Sequence, residues 1–283
     1  MIKSEKPLAG LKVLVTRAQG QSENFKQLLQ PLGAEVSEIP VIEISQPDDF
    51  AELDKALGNI SQYDWLVFVS KNAVNYTLAR AQTLGVAIDK EPKLKLAAIG
   101  PATADELTKN GLGVDFCPSS FVAEFLVEEF PNYPNLQGTK VFWPRTNIGR
   151  TLIADQLTAA GATVDTAIAY KTGLPSQHLD LARQLVDRLA SGKIDVITLA
   201  SAQSARNLAQ LISMGLSLNV EQSGPSPALK DLLASVKIAA IGPVTAMACR
   251  EVLGKADIEA AEYTLGGLTE ALLASLKFGQ KEQ

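Results

Sequence analysis

A ten-residue segment occurs twice in this chain. The first copy, KLAAIGPATA, covers residues 95–104, and the second, KIAAIGPVTA, covers residues 237–246 with eight identical positions. Each copy predicts a short buried strand, a Gly-Pro turn and the first turn of a helix, because proline suits the first helical position. The free N–H groups at such a helix start can bind an anion. Each copy is therefore either a structural strand-to-helix turn or an anion-binding turn.

Other segments of the chain repeat in the same order. The matching pairs are residues 12–17 with 140–145, 33–36 with 161–164, 64–70 with 195–201, and Phe121 with Tyr263. The pattern indicates an internal duplication covering roughly 10–130 and 138–275, with extra residues in a loop at Ser217–Pro227 that is rich in Ser, Gly and Pro. Strands alternate with helices in both halves, which predicts an α/β protein with parallel sheets covered by helices on both faces.

Some local assignments can be compared directly with a structure. Residues 114–117 read as a short strand, and residues 121–130 read as a helix for which Ser119-Ser120 is the expected N-terminal cap. The segments 41–46 and 166–172 lie at matching positions of the two halves. Both are extended and apolar, and both read as connectors.

Composition excludes several classes of function. The net charge of −5 argues against a nucleic-acid-binding protein, and no apolar run is long enough for a membrane span. The N-terminal residues lack a signal-peptide pattern, so we expect a cytoplasmic protein. A single histidine, His178, and two distant cysteines make a metal site improbable. The sequence has no glycine-rich motif for NAD or ATP and no plausible Ser-His-Asp triad.

Candidate binding residues follow the predicted strands, because ligands of parallel sheets bind at the carboxyl ends of the strands. They are small hydroxyls, glycines and cations: Arg17, Ser70, Gly100, Thr103, Arg145, Arg150, Ser201, Gly242 and Thr245. Such a set can bind carboxylates or phosphates. Tyr170, in the connector at 166–172, is the one strong acid/base side chain near a junction. A tyrosine in a strand serves either packing or proton transfer.

Taken together, these motifs resemble the uroporphyrinogen-III synthase family. The residues that carry the resemblance are VLVTR at 13–17, FVSKNAV at 68–74, AIGPATA at 98–104, Arg145 with Gly149-Arg150, AYKT at 169–172 and AIGPVTA at 240–246. Their order and spacing match over about residues 10–275. The chain departs from the family pattern at Ala18, where proline is frequent, at Val69 and Ala200, where threonine is frequent, and at Thr146, where glycine is usual.

The resemblance implies a particular architecture. Family members have two flavodoxin-like domains, joined by a two-stranded antiparallel linker and exchanged relative to the sequence repeats. For this chain, one domain would comprise residues 1–40 and 173–283, and the other residues 47–165. The segments 41–46 and 166–172 would form the linker. The two Gly-Pro-x-Thr turns would then face each other across one cleft.

The resemblance also implies an activity. The family substrate is hydroxymethylbilane, a linear tetrapyrrole with eight carboxylates. The family enzymes dehydrate and cyclise it with inversion of its last ring. They use no cofactor and no metal. We expect Tyr170 to donate a hydrogen bond or a proton to the leaving hydroxyl, directly or through water. We expect Thr103 and Thr245, with the N–H groups around them, to bind carboxylates or to orient rings. Ser70, Ser201, Arg17, Arg145, Arg150 and Lys237 are weaker binding candidates, and Lys237 begins its strand, at the end opposite the expected site. We expect a monomer.

Two other classes of protein remain alternatives. A non-enzymatic binding protein with two lobes could use the same hydroxyls and cations for an anionic small molecule. A receiver-like regulatory module would need acidic residues clustered at the carboxyl ends of strands, but Asp64 and Asp195 precede their strands. The regulatory module is therefore disfavoured by the sequence.

Overall fold

The structure of the protein is a computed structural model that describes residues 6–218 and 224–279. The chain divides into two compact units. Unit 1 comprises Met1–Glu43 and Gly173–Gln283, and unit 2 comprises Ile44–Thr172. Residues 219–223, within the loop identified in the sequence as an insertion, lie outside the described residues.

Both units alternate strands with helices. The strands are β1 (Lys12–Val15), β2 (Glu35–Glu38), β3 (Glu43–Ser45), β4 (Trp65–Phe68), β5 (Lys95–Ala98), β6 (Lys140–Thr146), β7 (Thr163–Gly173), β8 (Val196–Leu199), β9 (Lys237–Ala240) and β10 (Ile258–Glu259). The α-helices are α1 (Glu23–Leu29), α2 (Ala51–Gly58), α3 (Lys71–Leu84), α4 (Pro101–Lys109), α5 (Ala123–Glu128), α6 (Leu152–Ala159), α7 (His178–Ala190), α8 (Ala202–Gly215), α9 (Pro227–Leu232), α10 (Pro243–Leu253) and α11 (Leu265–Gly279). Short 3₁₀ turns occur at Gln30–Leu32, Ile60–Gln62 and Ile88–Lys90. None of the helices in the described part of the chain is long and apolar enough to cross a membrane.

Unit 1 is built on a parallel sheet with the strand order β10-β9-β8-β1-β2. Its central strands are apolar on both faces, as expected for a sheet covered by helices. Helices α7, α8 and α10 contribute to the core on one face, and α1 and α11 contribute to the core on the other. Phe25 is an example of the fully buried side chains on the second face.

Unit 2 contains a second five-stranded sheet, with the order β3-β7-β6-β4-β5. The pairs β7–β6, β6–β4 and β4–β5 are parallel. Helices α2, α3 and α4 contribute to the core on one face, and α5 and α6 to the core on the other. The two sheets, with helices on both faces of each, confirm the predicted α/β class with parallel sheets.

Parallel pairing decides where the candidate residues lie within each unit. In unit 2, the segments that follow β4, β5 and β6 all lie at the carboxyl edge of one sheet. In unit 1, the segments that follow β1, β8 and β9 share the corresponding edge. This is the edge at which open parallel sheets bind ligands.

The structure corrects two local predictions. The expected strand at 114–117 is reduced to a single bridge between Ala97 and Phe116. The helix expected over 121–130 begins only at Ala123, and Val122, not a serine, is at its N-cap position. Ser119 instead donates its backbone N–H to Glu129 at 2.8 Å. Phe121 is therefore in the segment before the helix, with its ring against Gly100.

The connectors also differ in detail from the sequence reading. The second is part of a single strand, β7, that begins at Thr163 and ends at Gly173. In the first, only Glu43–Ser45 forms a strand. The chain passes from unit 1 to unit 2 at Glu43–Ile44 and returns at Thr172–Gly173.

Candidate active site

Tyr170 lies on β7 in unit 2 and is almost completely buried. Its hydroxyl is 3.0 Å from the Oγ of Ser70, and the two are hydrogen-bonded. Its ring stacks on that of Tyr76, with centroids 5.8 Å apart, and Tyr76 donates its own hydroxyl to the carbonyl of Ile44 at 3.1 Å. The ring of Tyr170 is thus held by packing, while its hydroxyl is held by a neutral partner.

The local sequence explains this placement. Ser70 follows β4 and is the N-cap residue of α3, where its Oγ accepts a hydrogen bond from the N–H of Ala73 at 3.0 Å. A serine is among the best residues for this position. The register between β6 and β7 shifts after Arg145, so that Thr146 is opposite Tyr170. Such irregularities re-aim side chains near functional sites.

Beside the Tyr170–Ser70 pair lies a second pair of hydroxyl groups, on Thr146 and Thr172. The Oγ1 atoms of Thr146 and Thr172 are 3.2 Å apart, and the side chain of Asn147 accepts the N–H of Thr172 at 2.8 Å. Sequence reasoning missed Thr146, which was noted only as a departure from a family pattern. Thr146 lies opposite Tyr170 because of the register shift, and no sequence motif predicts that shift.

Burial raises the pKa of Tyr170 above the ordinary tyrosine value. Hydrogen bonds with Ser70 and Thr146 favour the phenolate and partly oppose the increase. Because the ordinary value is already about 10, the phenol keeps its proton at neutral pH. Tyr170 can therefore donate a proton or hydrogen bond, as a general acid must.

Thr103 and Thr245 lie in the first turns of α4 and α10, and both are buried. Gly100 precedes Thr103 and has a φ of 81°, a conformation that glycine adopts without strain. Gly242 precedes Thr245 in an extended conformation. Thr103 is in unit 2 and Thr245 is in unit 1, so each unit has one of the twin turns at its carboxyl edge.

The two arginines that follow β6 have different partners. Arg145 donates its Nη2 to the carbonyls of Gly149 at 2.8 Å and Arg150 at 3.3 Å, and its guanidinium is 4.8 Å from the centre of the Trp143 ring. Arg150 forms an ion pair with Glu124. Both arginines line a cavity of about 370 Å³ in unit 2 whose other walls are mostly apolar.

The remaining candidates of unit 1 have structural contacts of their own. Ser201 caps α8 in a reciprocal capping box with Ser204. Arg17 donates its Nε to the carbonyl of Gln21 at 2.9 Å, and burial lowers the pKa of its guanidinium. Lys237 is exposed at the amino end of β9, the edge opposite Thr245. The structure does not bring Lys237 together with the other candidates.

Metal ligands do not cluster in the described ranges 6–218 and 224–279, where no group of three or more His, Cys, Asp or Glu side chains could hold an ion. The site of unit 2 is instead built from hydroxyls, arginines and helix N-termini. Such an arrangement can bind carboxylates and donate protons.

Known proteins match this chain along most of its length. The family model described as Uroporphyrinogen-III synthase HemD matches residues 23–270. A uroporphyrinogen-III synthase from Synechococcus elongatus is 36% identical over 270 residues, which cover 95% of this chain and 97% of that protein. The uroporphyrinogen-III synthase of Escherichia coli is 29% identical over 204 residues, which cover 71% of this chain and 80% of that protein.

Solved structures with the same fold carry the same name. A mutant uroporphyrinogen III synthase from Thermus thermophilus aligns with a TM-score of 0.64 and 19% identity, covering 94% of this chain and 99% of that one. A uroporphyrinogen-III synthetase from Helicobacter pylori aligns with a TM-score of 0.56 and 16% identity, at coverages of 94% and 99%. At these identities the likeness shows a shared fold.

Proposed function

The chain belongs to the uroporphyrinogen-III synthase family, and on that premise we propose that it converts hydroxymethylbilane into uroporphyrinogen III, a step of tetrapyrrole biosynthesis. The observation that carries the proposal is the 36% identity to a curated synthase over 95% of the chain. The relatives named above are synthases, so the alternative of a non-enzymatic binding protein has no support. The buried phenol of Tyr170 beside Ser70 supplies a chemically suitable acid.

The proposed chemistry is a dehydration followed by ring closure. The C–O bond of the hydroxymethyl group breaks, and Tyr170 gives its proton to the departing oxygen, which leaves as water. The methylene carbon left by this step bonds to the carbon of the last pyrrole ring that carries its bridge, which gives a spiro intermediate. The old bond from that ring carbon to its bridge then breaks, and the bridge carbon bonds to the free α-carbon of the same ring, so that the ring is inverted and the macrocycle closed. The proton lost from this α-carbon returns to Tyr170. The net change is the loss of one water molecule. A positioned acid of this kind contributes about 10²–10⁴-fold to a rate.

The remaining groups would bind and orient the substrate. Thr103 and Thr245, with the N–H groups of their helix starts, are proposed to bind substrate carboxylates. Arg145 is proposed to bind a further carboxylate. Holding a flexible chain in one reactive geometry can itself lower a barrier by several kcal/mol, about 7–11 at the extreme. We propose a smaller role in substrate binding for three other candidates, because their side chains already have the protein partners described above: Arg17, Arg150 and Ser201.

One assay tests both the activity and the residues. Each variant is given freshly prepared hydroxymethylbilane, and the oxidised products are separated into type III and type I isomers. We expect type III from the wild type and about 10²-fold slower turnover from Tyr170→Phe. Tyr76→Phe is the matched control, because it removes the hydroxyl of the neighbouring stacked ring without touching that of Tyr170.

Two outcomes would contradict these assignments. Wild-type protein that yields only type I, the product of unassisted closure, would overturn the function. Tyr170→Phe with the rate and isomer ratio of Tyr76→Phe would remove Tyr170 from the mechanism. Thr103→Ala and Thr245→Ala are expected to raise KM or lower kcat, and if neither parameter changes in either variant, the twin turns are only structural.

We further propose the finer architecture that the family implies. The two sheets would be flavodoxin-like domains derived from an internal duplication, comprising residues 1–40 with 173–283 and residues 47–165. The segments 41–46 and 166–172 would form an antiparallel linker. The adjacency of β3 and β7 supports this. A crystal structure in which β3 runs parallel to β7 would contradict it.

A further inference from the structure

Each unit exposes one aromatic ring that lies against the glycine of its Gly-Pro-x-Thr turn. In unit 2 the ring belongs to Phe121, which is 58% exposed, and the glycine is Gly100. In unit 1 the ring belongs to Tyr263, which is 68% exposed, and the glycine is Gly242. Phe121 and Tyr263 are 142 positions apart, the same separation as the two turns. The arrangement therefore occurs twice, at equivalent positions.

The glycines permit close contact between ring and backbone. A Cβ built on Gly242 would lie 2.7 Å from Cδ1 of Tyr263, a distance that side chains do not tolerate. A Cβ on Gly100 would lie 3.5 Å from Cγ of Phe121, within ordinary contact distance, but the φ of 81° there favours glycine. Both rings thus lie on the backbone of a helix start, and much of each ring remains open to solvent.

Isolated exposed apolar residues are common and need no explanation. These two rings differ because both lie beside the helix start at which an anionic ligand would bind. Aromatic faces stack well on other flat rings. A pyrrole with acidic side chains combines a flat ring with carboxylates, which are the two features that a ring beside a helix N-terminus could bind.

The surroundings of Phe121 fit such a ligand. Phe121 lines the 370 Å³ cavity together with Val69, Ile99 and Trp143. This volume lies toward the lower end of the range for small-molecule sites, about 300–1,000 Å³. The walls are mainly apolar, but Arg145 also lines the cavity and has no acidic partner among the described residues. The cavity therefore has mainly apolar walls and a cationic side chain, that of Arg145, in its lining.

Trp143, which lines the same cavity, carries a buried polar atom that is unpaired in the described part of the chain. Trp143 is almost fully buried, and its indole Nε1 has no hydrogen-bond partner within the described residues. Buried N–H groups in proteins almost always have a partner. The guanidinium of Arg145 lies 4.8 Å from the centre of the same indole ring, so the cation and the aromatic ring of the cavity wall are held together.

We propose that Phe121 and Tyr263 are ring-binding residues, each stacking on one pyrrole of the linear tetrapyrrole substrate. The pyrrole on Phe121 enters the 370 Å³ cavity and directs a carboxylate toward Arg145. Tyr263 binds a second pyrrole beside the Thr245 turn. This inference rests on the proposed function and adds to it the residues that recognise the rings rather than their acid groups.

The test measures binding and turnover separately. Phe121→Ala and Tyr263→Ala are compared with wild type for KM and kcat on hydroxymethylbilane, and for the Kd of uroporphyrinogen III by anaerobic equilibrium dialysis. We expect KM and Kd to rise about 10-fold in each variant. Binding weakens by a similar factor when an aromatic side chain that stacks on a nucleic-acid base is removed. Tyr263→Phe keeps the ring and should stay within about twofold of wild type.

Leu84→Ala is the matched control, because Leu84 is also an exposed apolar side chain, at 41%, but is the last residue of α3, which begins at the carboxyl edge of the sheet after β4 and ends toward the opposite edge. It should leave KM and Kd unchanged. Circular dichroism verifies folding, and Phe121→Leu, which keeps an apolar side chain, replaces Phe121→Ala if that variant does not fold. Phe121→Leu should still weaken binding, since it has no ring to stack.

The outcomes separate this inference from the proposed function. If wild type forms the type III isomer while Phe121→Ala and Tyr263→Ala keep its KM and Kd, the ring-binding role is wrong and the function stands. If Tyr263→Phe loses as much binding as Tyr263→Ala, the hydroxyl rather than the ring is responsible, which also contradicts the proposal. A wild type that forms no type III isomer overturns the function itself.

Discussion

Two buried tyrosines of unit 2 have hydroxyls with different partners. Tyr63 donates its hydroxyl to Asp165 at 2.7 Å, and both burial and this carboxylate raise the pKa of Tyr63. Its proton is therefore held in a strong, charge-assisted bond. Tyr170 is bonded to a neutral hydroxyl, that of Ser70, which can rotate when a substrate oxygen arrives. Of these two tyrosines, Tyr170 is the one whose hydroxyl has no charged acceptor in the described ranges, which supports its proposed role as proton donor.

The raised pKa of Tyr170 predicts its titration behaviour. Because burial raises the pKa above the ordinary value of about 10, the phenolate should form only above pH 10. Ser70→Ala removes a hydrogen bond that favours the phenolate, so the pKa should rise further. The measurement is the tyrosinate absorbance near 295 nm as a function of pH. The wild-type curve minus the Tyr170→Phe curve gives the titration of Tyr170. The Ser70→Ala curve minus that of the Ser70→Ala, Tyr170→Phe double variant gives the same titration without the Ser70 hydroxyl.

Ser201→Ala is the control for the Ser70 experiment, because both serines cap helices but Ser201 lies in unit 1. Both substitutions should lower the free energy of unfolding by about 1 kcal/mol through loss of the cap. Ser201→Ala should leave the titration of Tyr170 unchanged. A Tyr170 transition below pH 10 in wild type, or an identical titration in Ser70→Ala, would contradict the assigned contacts.

At the scale of elements, aspartate side chains accept hydrogen bonds from backbone N–H groups at the amino ends of neighbouring strands. Asp195 accepts the N–H of Lys12 at 2.8 Å in unit 1, and Asp64 accepts the N–H of Lys140 at 2.8 Å in unit 2. Asp257 and Asp115 do the same for Ile238 and Leu96. The sequence reading noted only that Asp64 and Asp195 precede their strands, and the structure supplies the reason.

Asp195→Ala should therefore destabilise unit 1. It leaves the N–H of Lys12 without its charged acceptor, and hydrogen bonds to charged groups contribute about 1.5–3 kcal/mol. Asp195→Asn keeps an acceptor oxygen and should cost less. Urea unfolding measures the difference, with Asp187→Ala on the exposed face of α7 as the control. If Asp195→Ala and Asp187→Ala have equal stability, the bond from Lys12 contributes nothing.

The elements also indicate how far sequence reasoning reaches. The two Gly-Pro segments correctly predicted β5 and β9 and the helix starts that follow them, because local periodicity determines these elements. The strand expected at 114–117 is only a single bridge. The start of α5 was predicted too early, since Phe121 is held by a tertiary contact with Gly100. Tyr170 was identified as a candidate acid. Its partner Ser70 lies 100 positions away and could not be paired with it before the fold was known.

At the scale of the whole molecule, the apolar clusters of residues 6–218 and 224–279 can each be assigned to one unit. Each sheet has one apolar cluster on each face, and every member of a cluster belongs to a single unit. Ile197 in β8 and Leu66 in β4 are fully buried at matching positions of the similar segments 195–201 and 64–70. They form a matched pair, because each lies in an interior strand of its own sheet, with a neighbouring strand on either side.

Ile197→Ala is expected to destabilise unit 1 alone, and Leu66→Ala unit 2 alone. Truncating a large buried aliphatic side chain costs about 2–5 kcal/mol, since transfer energy is lost and a cavity remains. Because proteins with more than one domain need not unfold in one step, the measurement must resolve the units. Hydrogen exchange with mass spectrometry should show faster exchange in β1, β8 and β9 for Ile197→Ala, and in β4, β5 and β6 for Leu66→Ala. Equal acceleration in both units by either variant would mean that the protein unfolds as one cooperative body.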